Sequence, residues 1–214
     1  MDFTVPMALV DFIPVIMFFV SFLFMQFDLY YKFDRWSFGL FWAGGIMVFM
    51  AGFYKALWKL LYAAGVCDFE KLNQMFFPVQ AHGFLILGLA LIFLLTMKKK
   101  DLNNPGKTTF LSVAAPAVFS GTMLFVVFMV FGVVAMCVCM AIIAVRMNKK
   151  FAVVLFIISI IFMLGMGYLS SKDFTQAYMN WAGEFTNILG QVTMMGGVLI
   201  LHKGGLRNFD IKKK

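Results

Sequence analysis

Forty residues, Thr108–Met147, pass without a charge until Arg146. As one helix they would extend ~60 Å at ~1.5 Å per residue, twice the ~30 Å hydrocarbon core of a bilayer. Two spanning helices fit the run better than one. A turn at Ser120-Gly121-Thr122 has suitable chemistry but leaves a short preceding helix. A turn near Gly132 balances the lengths but puts Phe and Val in the turn. Further apolar stretches read as spanning helices over about Val5–Gln26, Trp36–Tyr54, Phe77–Met97, Phe151–Ser170 and Tyr178–Leu201. The chain is 63% hydrophobic, 13% charged and has a mean hydropathy of +0.91. A soluble domain carries about 25% charged residues, and one of this composition could not keep a wet exterior. The expected fold is all-α, a multi-pass integral membrane bundle of seven transmembrane helices, or six if Thr108–Met147 is one span. Residues 1–214 form a single transmembrane domain, with 202–214 as a basic tail. The first stretch has no basic leader or small-residue cleavage pattern and is expected to be retained.

Between these helices, Phe27–Arg35 reads as a short polar loop. Lys55–Val66 sets Lys55 and Lys59 four apart among Leu57, Leu60 and Leu61, the pattern of an amphipathic segment lying at the interface. Cys67–Met75 reads as a charged loop. Pro78 suits the first turn of the next helix. Asp101–Lys107 contains the turn signal Asn-Asn-Pro-Gly. Pro14 and Pro116 are candidate kinks in otherwise unmatched surroundings, and no internal repeat is legible.

Lysine and arginine concentrate in cytoplasmic loops. With seven helices and the N-terminus outside, 14 of the 18 lysines and arginines fall on the inner side; with Thr108–Met147 as one span the split is 11 to 7. The expected orientation is therefore N-terminus out and C-terminus cytoplasmic. The sequence does not name the membrane.

Ionisable groups inside spans are costly and usually face the bundle interior. Asp11, His82 and Glu184 lie near the outer ends of the first, third and last predicted helices, each ~8–9 Å deep. On the last helix Glu184, Asn187 and Gln191 are spaced three and four apart and share one face. Gln80 is ~200° around the helix from His82, so the two share a face only if that turn is irregular. These six residues, Asp11, Gln80, His82, Glu184, Asn187 and Gln191, are the candidate substrate-binding set of an outward-facing polar pocket. Two carboxylates and a histidine suit a cationic solute, or a proton travelling with one. The competing reading is structural: amides bonding between helices and acids reaching interfacial water.

Other chemistries lack their residues. Tyr178–Leu201 contains no lysine for a retinal Schiff base. His82 and His202 are roughly a bilayer thickness apart, too far to share a haem. No metal cluster, nucleophile triad or phosphate-binding glycine loop is present in the sequence pattern. Cys137 and Cys139 point to different faces of a helix and Cys67 sits in a loop. No cofactor, catalytic or metal residue is expected. Positive charge follows from membrane topology, so nucleic acid is not an expected partner. Arg35, Gly39, Gly52 and Lys55, with the ending Gly204-Gly205-Leu206 through Asp210, loosely resemble DoxX-like membrane proteins. That resemblance implies a four-helix bundle, fewer spans than this chain holds, and membership is not inferred.

Two functions fit. One is a transporter or channel-like carrier of a small polar or cationic solute. The other is a non-catalytic subunit of a larger membrane complex, with membrane-protein partners or further copies of the chain beside it. A membrane sensor ranks third, because the sequence shows no output domain.

Overall fold

The computed structural model describes residues 4–96, 122–169 and 177–211. Within them the chain forms six long helices: α1 (Val5–Lys32), α2 (Arg35–Ala63), α3 (Glu70–Thr96), α4 (Thr122–Arg146), α5 (Lys150–Leu169) and α6 (Ala177–Lys203). All six are long and apolar enough to cross a membrane. The helix expected over the first part of Thr108–Met147 lies outside the described residues. The second part is α4, and it begins at Thr122. Gly132 is inside α4, not at a turn.

Several boundaries differ from the sequence reading. α1 continues through the expected loop at Phe27 and closes in a 3-10 turn, Tyr30–Lys32. It is interrupted at Asp11. Pro14 explains the break, since it has no N–H to offer the Val10 carbonyl and its ring crowds that turn. α2 is one unbroken helix to Ala63, so the segment from Lys55 continues the span as a helix, with Lys59 buried at 5% exposure instead of facing water. Asp34 starts α2 by accepting from the Trp36 and Ser37 amides at 3.0 and 3.2 Å. α3 begins at Glu70, which moves Pro78 from a first turn to the helix interior.

The helices close a ring in chain order, with α6 returning to pack on α1. Neighbours approach closely where side chains are small. A Cβ on Gly44 would stand 2.8 Å from the Gly83 carbonyl and 2.7 Å from the Leu87 amide. At the equivalent place between α5 and α6, the Ser159 hydroxyl donates to the Gly190 carbonyl at 2.9 Å.

Most neighbours in the ring are antiparallel, but two pairs are parallel. α3 and α4 keep step in the same direction: Phe77 meets Phe125, His82 meets Phe128, and Gly88 packs on Gly132 and Ala135. α1 and α6 do likewise, with Asp11 near Glu184 at one end and Asp28 against His202 at the other. Thr96 and Thr122 therefore stand at opposite faces of the bundle. The ring is also two three-helix halves, α1–α3 and α4–α6, running in the same sense. Both halves join their first two helices by a very short turn, at Phe33-Asp34 and at Met147–Lys149, where Asn148 takes φ 55°.

The two faces differ in charge. Lys32, Arg35, Arg146, Lys149, Lys150, Lys203 and Arg207 gather at one face, here the basic face; Lys71 lies toward the other, the N-terminal face. After α6 the chain folds back across the basic face. The Lys32 ammonium donates to the Arg207 and Phe209 carbonyls at 3.0 and 2.6 Å, Arg146 donates to the Ile211 carbonyl, and Leu206 and Ile211 are buried. In the same half of the ring Phe22, Phe41, Leu91, Met140, Ile143 and Leu201 pack into a continuous apolar core.

Candidate functional site

Toward the N-terminal face the ring encloses a cavity of about 170 Å³, lined by residues from all six helices. Its walls repeat between the halves. One shift along the sequence carries Val15 onto Val130, Phe18 onto Val133, Val48 onto Met163 and Gly52 onto Gly167. A second shift carries Phe77 onto Glu184, Gln80 onto Asn187 and Phe84 onto Gln191, and it also carries the bounds of α3 onto those of α6. Every residue in these pairs lines the cavity. The cavity therefore lies between the two halves, with corresponding positions of each on its wall.

At its upper wall three charged side chains meet. The Lys59 ammonium is 2.5 Å from Asp11 Oδ2 and 3.1 Å from Glu184 Oε1. All three are buried, at 5%, 6% and 8% exposure. They come from α2, α1 and α6, so the triad ties the two halves together. The break in α1 sits at Asp11 itself. Burying three charges is tolerable only because the lysine serves both acids.

Lys55, one turn before Lys59, lines the cavity without joining this triad. Its ammonium lies over the Phe76 ring, 4.1 Å from the centroid, a favourable cation–π distance. It makes no ion pair among the described residues. Two buried acceptors on the cavity wall also have no hydrogen-bond partner there, Asp11 Oδ1 and Gln191 Oε1. Buried polar groups are normally satisfied, and these two oxygens are acceptors left open among the described residues.

Of the six residues expected from sequence, Asp11, Gln80, Glu184, Asn187 and Gln191 line this cavity together. His82 does not. Its Nδ1 bonds the Pro78 carbonyl at 2.7 Å and its ring packs edge-on against Phe125 and Phe128 of α4. α3 is regular where the two residues lie, so Gln80 and His82 diverge and only Gln80 faces inward. The sequence reading missed Lys55 and Lys59, because a lysine pair among leucines near a helix end has the pattern of an interfacial face. A lysine at the same depth as two buried acids was the available signal.

A second polar contact joins the halves at the basic face. Both Asp28 carboxylate oxygens lie 3.0 Å from His202 Nδ1, and Asp28 is 1% exposed. Phe24 and Phe27 flank the imidazole. Among the described residues no three His, Cys, Asp or Glu side chains are placed to hold a metal ion. Cys137 and Cys139 are both buried and unbridged. Comparison of the chain with protein-family models, with curated proteins and with solved structures finds no match.

Proposed function

We propose that this protein is a membrane carrier for a small polar solute, working by alternating access between its two three-helix halves. The observation that carries the proposal is the cavity between the halves, lined by all six helices and bearing buried polar groups without partners. Carriers built from parallel repeats bind substrate between the repeats and rock one against the other. The cavity on the N-terminal side and the apolar core on the basic side fit one end-state of such a cycle.

The same proposal has seven crossings. Thr96 and Thr122 lie at opposite faces, which supports an odd number of crossings for the whole chain, as the sequence reading expects. The basic face is then cytoplasmic and the cavity faces outward. The polar stripe of α6, turned into the cavity, supports a carrier over a structural subunit, whose stripe would contact a partner. Lys55 and Lys59 balance the two acids, so the solute is proposed as polar without a preference for cations.

The test is solute counterflow in proteoliposomes holding the full chain. Glu184→Gln should lower exchange about tenfold or more, since a buried charge contact between the halves is lost, while elution from size-exclusion chromatography stays unchanged. Wild-type exchange by that well-folded variant would remove Glu184 from the mechanism.

A further inference from the structure

Resting on the carrier reading, we infer that the solute is a small zwitterion with an apolar side group, an amino-acid-like compound. Its carboxylate would meet Lys55 and its ammonium Asp11 and Gln191.

Charge balance comes first. Among the described residues the cavity and its wall hold two basic side chains, Lys55 and Lys59, and two acidic ones, Asp11 and Glu184. A plain cation or anion entering would leave one net charge unopposed among buried side chains, which is costly. A zwitterion adds none, and each of its charges can be opposed by one of the protein's.

The unpartnered groups point the same way. Lys59 is committed to both acids, whereas Lys55 has only the Phe76 ring. An ammonium on an aromatic face still has N–H donors to give, and a carboxylate is its natural acceptor. Asp11 and Gln191 line the cavity, and each has a buried oxygen, Oδ1 and Oε1, that takes no hydrogen bond among the described residues and would reach a solute by a turn of its carboxylate or amide group. A solute ammonium supplies three N–H donors. One solute with both groups satisfies the donor and the acceptors at once.

Size and wall chemistry set the rest. An apolar cavity of about 150 Å³ holds benzene, so about 170 Å³ admits a solute of about six to nine non-hydrogen atoms. Between the polar groups the wall is Val15, Phe49, Phe84, Val133 and Met163, which suits a branched aliphatic side group better than a hydroxylated one.

The test uses full-length protein in proteoliposomes and measures counterflow of labelled L-valine, L-proline and L-leucine beside labelled choline, lactate and glucose. Exchange of at least one amino acid is expected, with isobutylamine or isovalerate, each carrying one of valine's two charges, failing to compete at tenfold excess. Lys55→Met should lose that exchange about tenfold or more, and Lys55→Arg should keep part of it. Exchange of choline, lactate or glucose without any amino acid would overturn the zwitterion and leave the carrier standing. No exchange of any of the six would overturn both. Full amino-acid exchange by Lys55→Met would overturn the place given to Lys55.

Discussion

Lys59 is the residue on which the site's stability rests. It answers Asp11 from α1 and Glu184 from α6 at once, and all three side chains are buried. Removing it would leave two buried carboxylates facing each other. Losing one partner of a buried pair costs about 3–5 kcal/mol, so Lys59→Met should lower the thermal midpoint in detergent more than Asp11→Asn, which leaves the Lys59–Glu184 contact in place. Adding Glu184→Gln to Lys59→Met should restore part of the loss, because one carboxylate then remains instead of two. Equal midpoints for Lys59→Met and wild type would show that the triad does not hold the halves together. At this scale much of the site was legible before any coordinates. Glu184, Asn187 and Gln191 announced a common face by their spacing, and a regular helix delivered it. Asp11 announced itself as an acid inside an apolar run. Lys59 was not legible, because its meaning depends on two partners 48 and 125 residues away in the chain, and near a helix end a lysine among leucines reads equally well as snorkelling.

Helix contacts here depend on where the backbone has no side chain to hold it off. Gly44 of α2 meets the backbone of α3, and Gly132 of α4 packs directly against the α3 backbone at Phe84. Gly39, five residues before Gly44 in α2, has nothing within 4 Å of a Cβ placed there. Gly44→Leu should therefore force α2 off α3 and cost about 1–3 kcal/mol, as overpacking usually does, whereas Gly39→Leu should leave the thermal midpoint near that of wild type. A matched loss in both variants would mean that helix propensity, and not the crossing, sets the effect. The elements themselves were mostly legible from apolar length. Their ends were less so, because α2 and α3 continue beyond the apolar stretch. Trp58 donates its indole N–H to Asp68 at 2.9 Å and so secures the α2–α3 turn beyond the cavity, a contact that no hydropathy window registers.

For the whole molecule, the least legible feature is the likeness of the two halves. Under the shifts that superpose their cavity walls, Gly52 falls on Gly167, Phe41 on Phe156 and Gly83 on Gly190, but most positions pair different residues. Apolar side chains facing lipid or a core are exchanged by volume, not identity, and an acid in one half stands where a phenylalanine stands in the other. The likeness survives in helix direction, turn length and cavity position, none of which a comparison of letters detects. It also places two polar contacts along one seam between α1 and α6: the Lys59 triad beside the cavity and Asp28–His202 at the basic face. If the halves rock, the seam must part at the basic face whenever the cavity opens there, because the folded-back segment from Leu206 to Ile211 and the Asp28–His202 pair together span it. Joining Asp28→Cys to His202→Cys with a short bifunctional thiol reagent, in a chain whose exposed Cys67 is replaced by serine, should therefore arrest counterflow. Cleaving the linker should restore it, and binding of solute at the outward cavity should survive throughout. Counterflow that continues through a fully cross-linked seam would mean that solute does not leave by separation of α1 from α6, and the rocking of one half against the other would have to be abandoned.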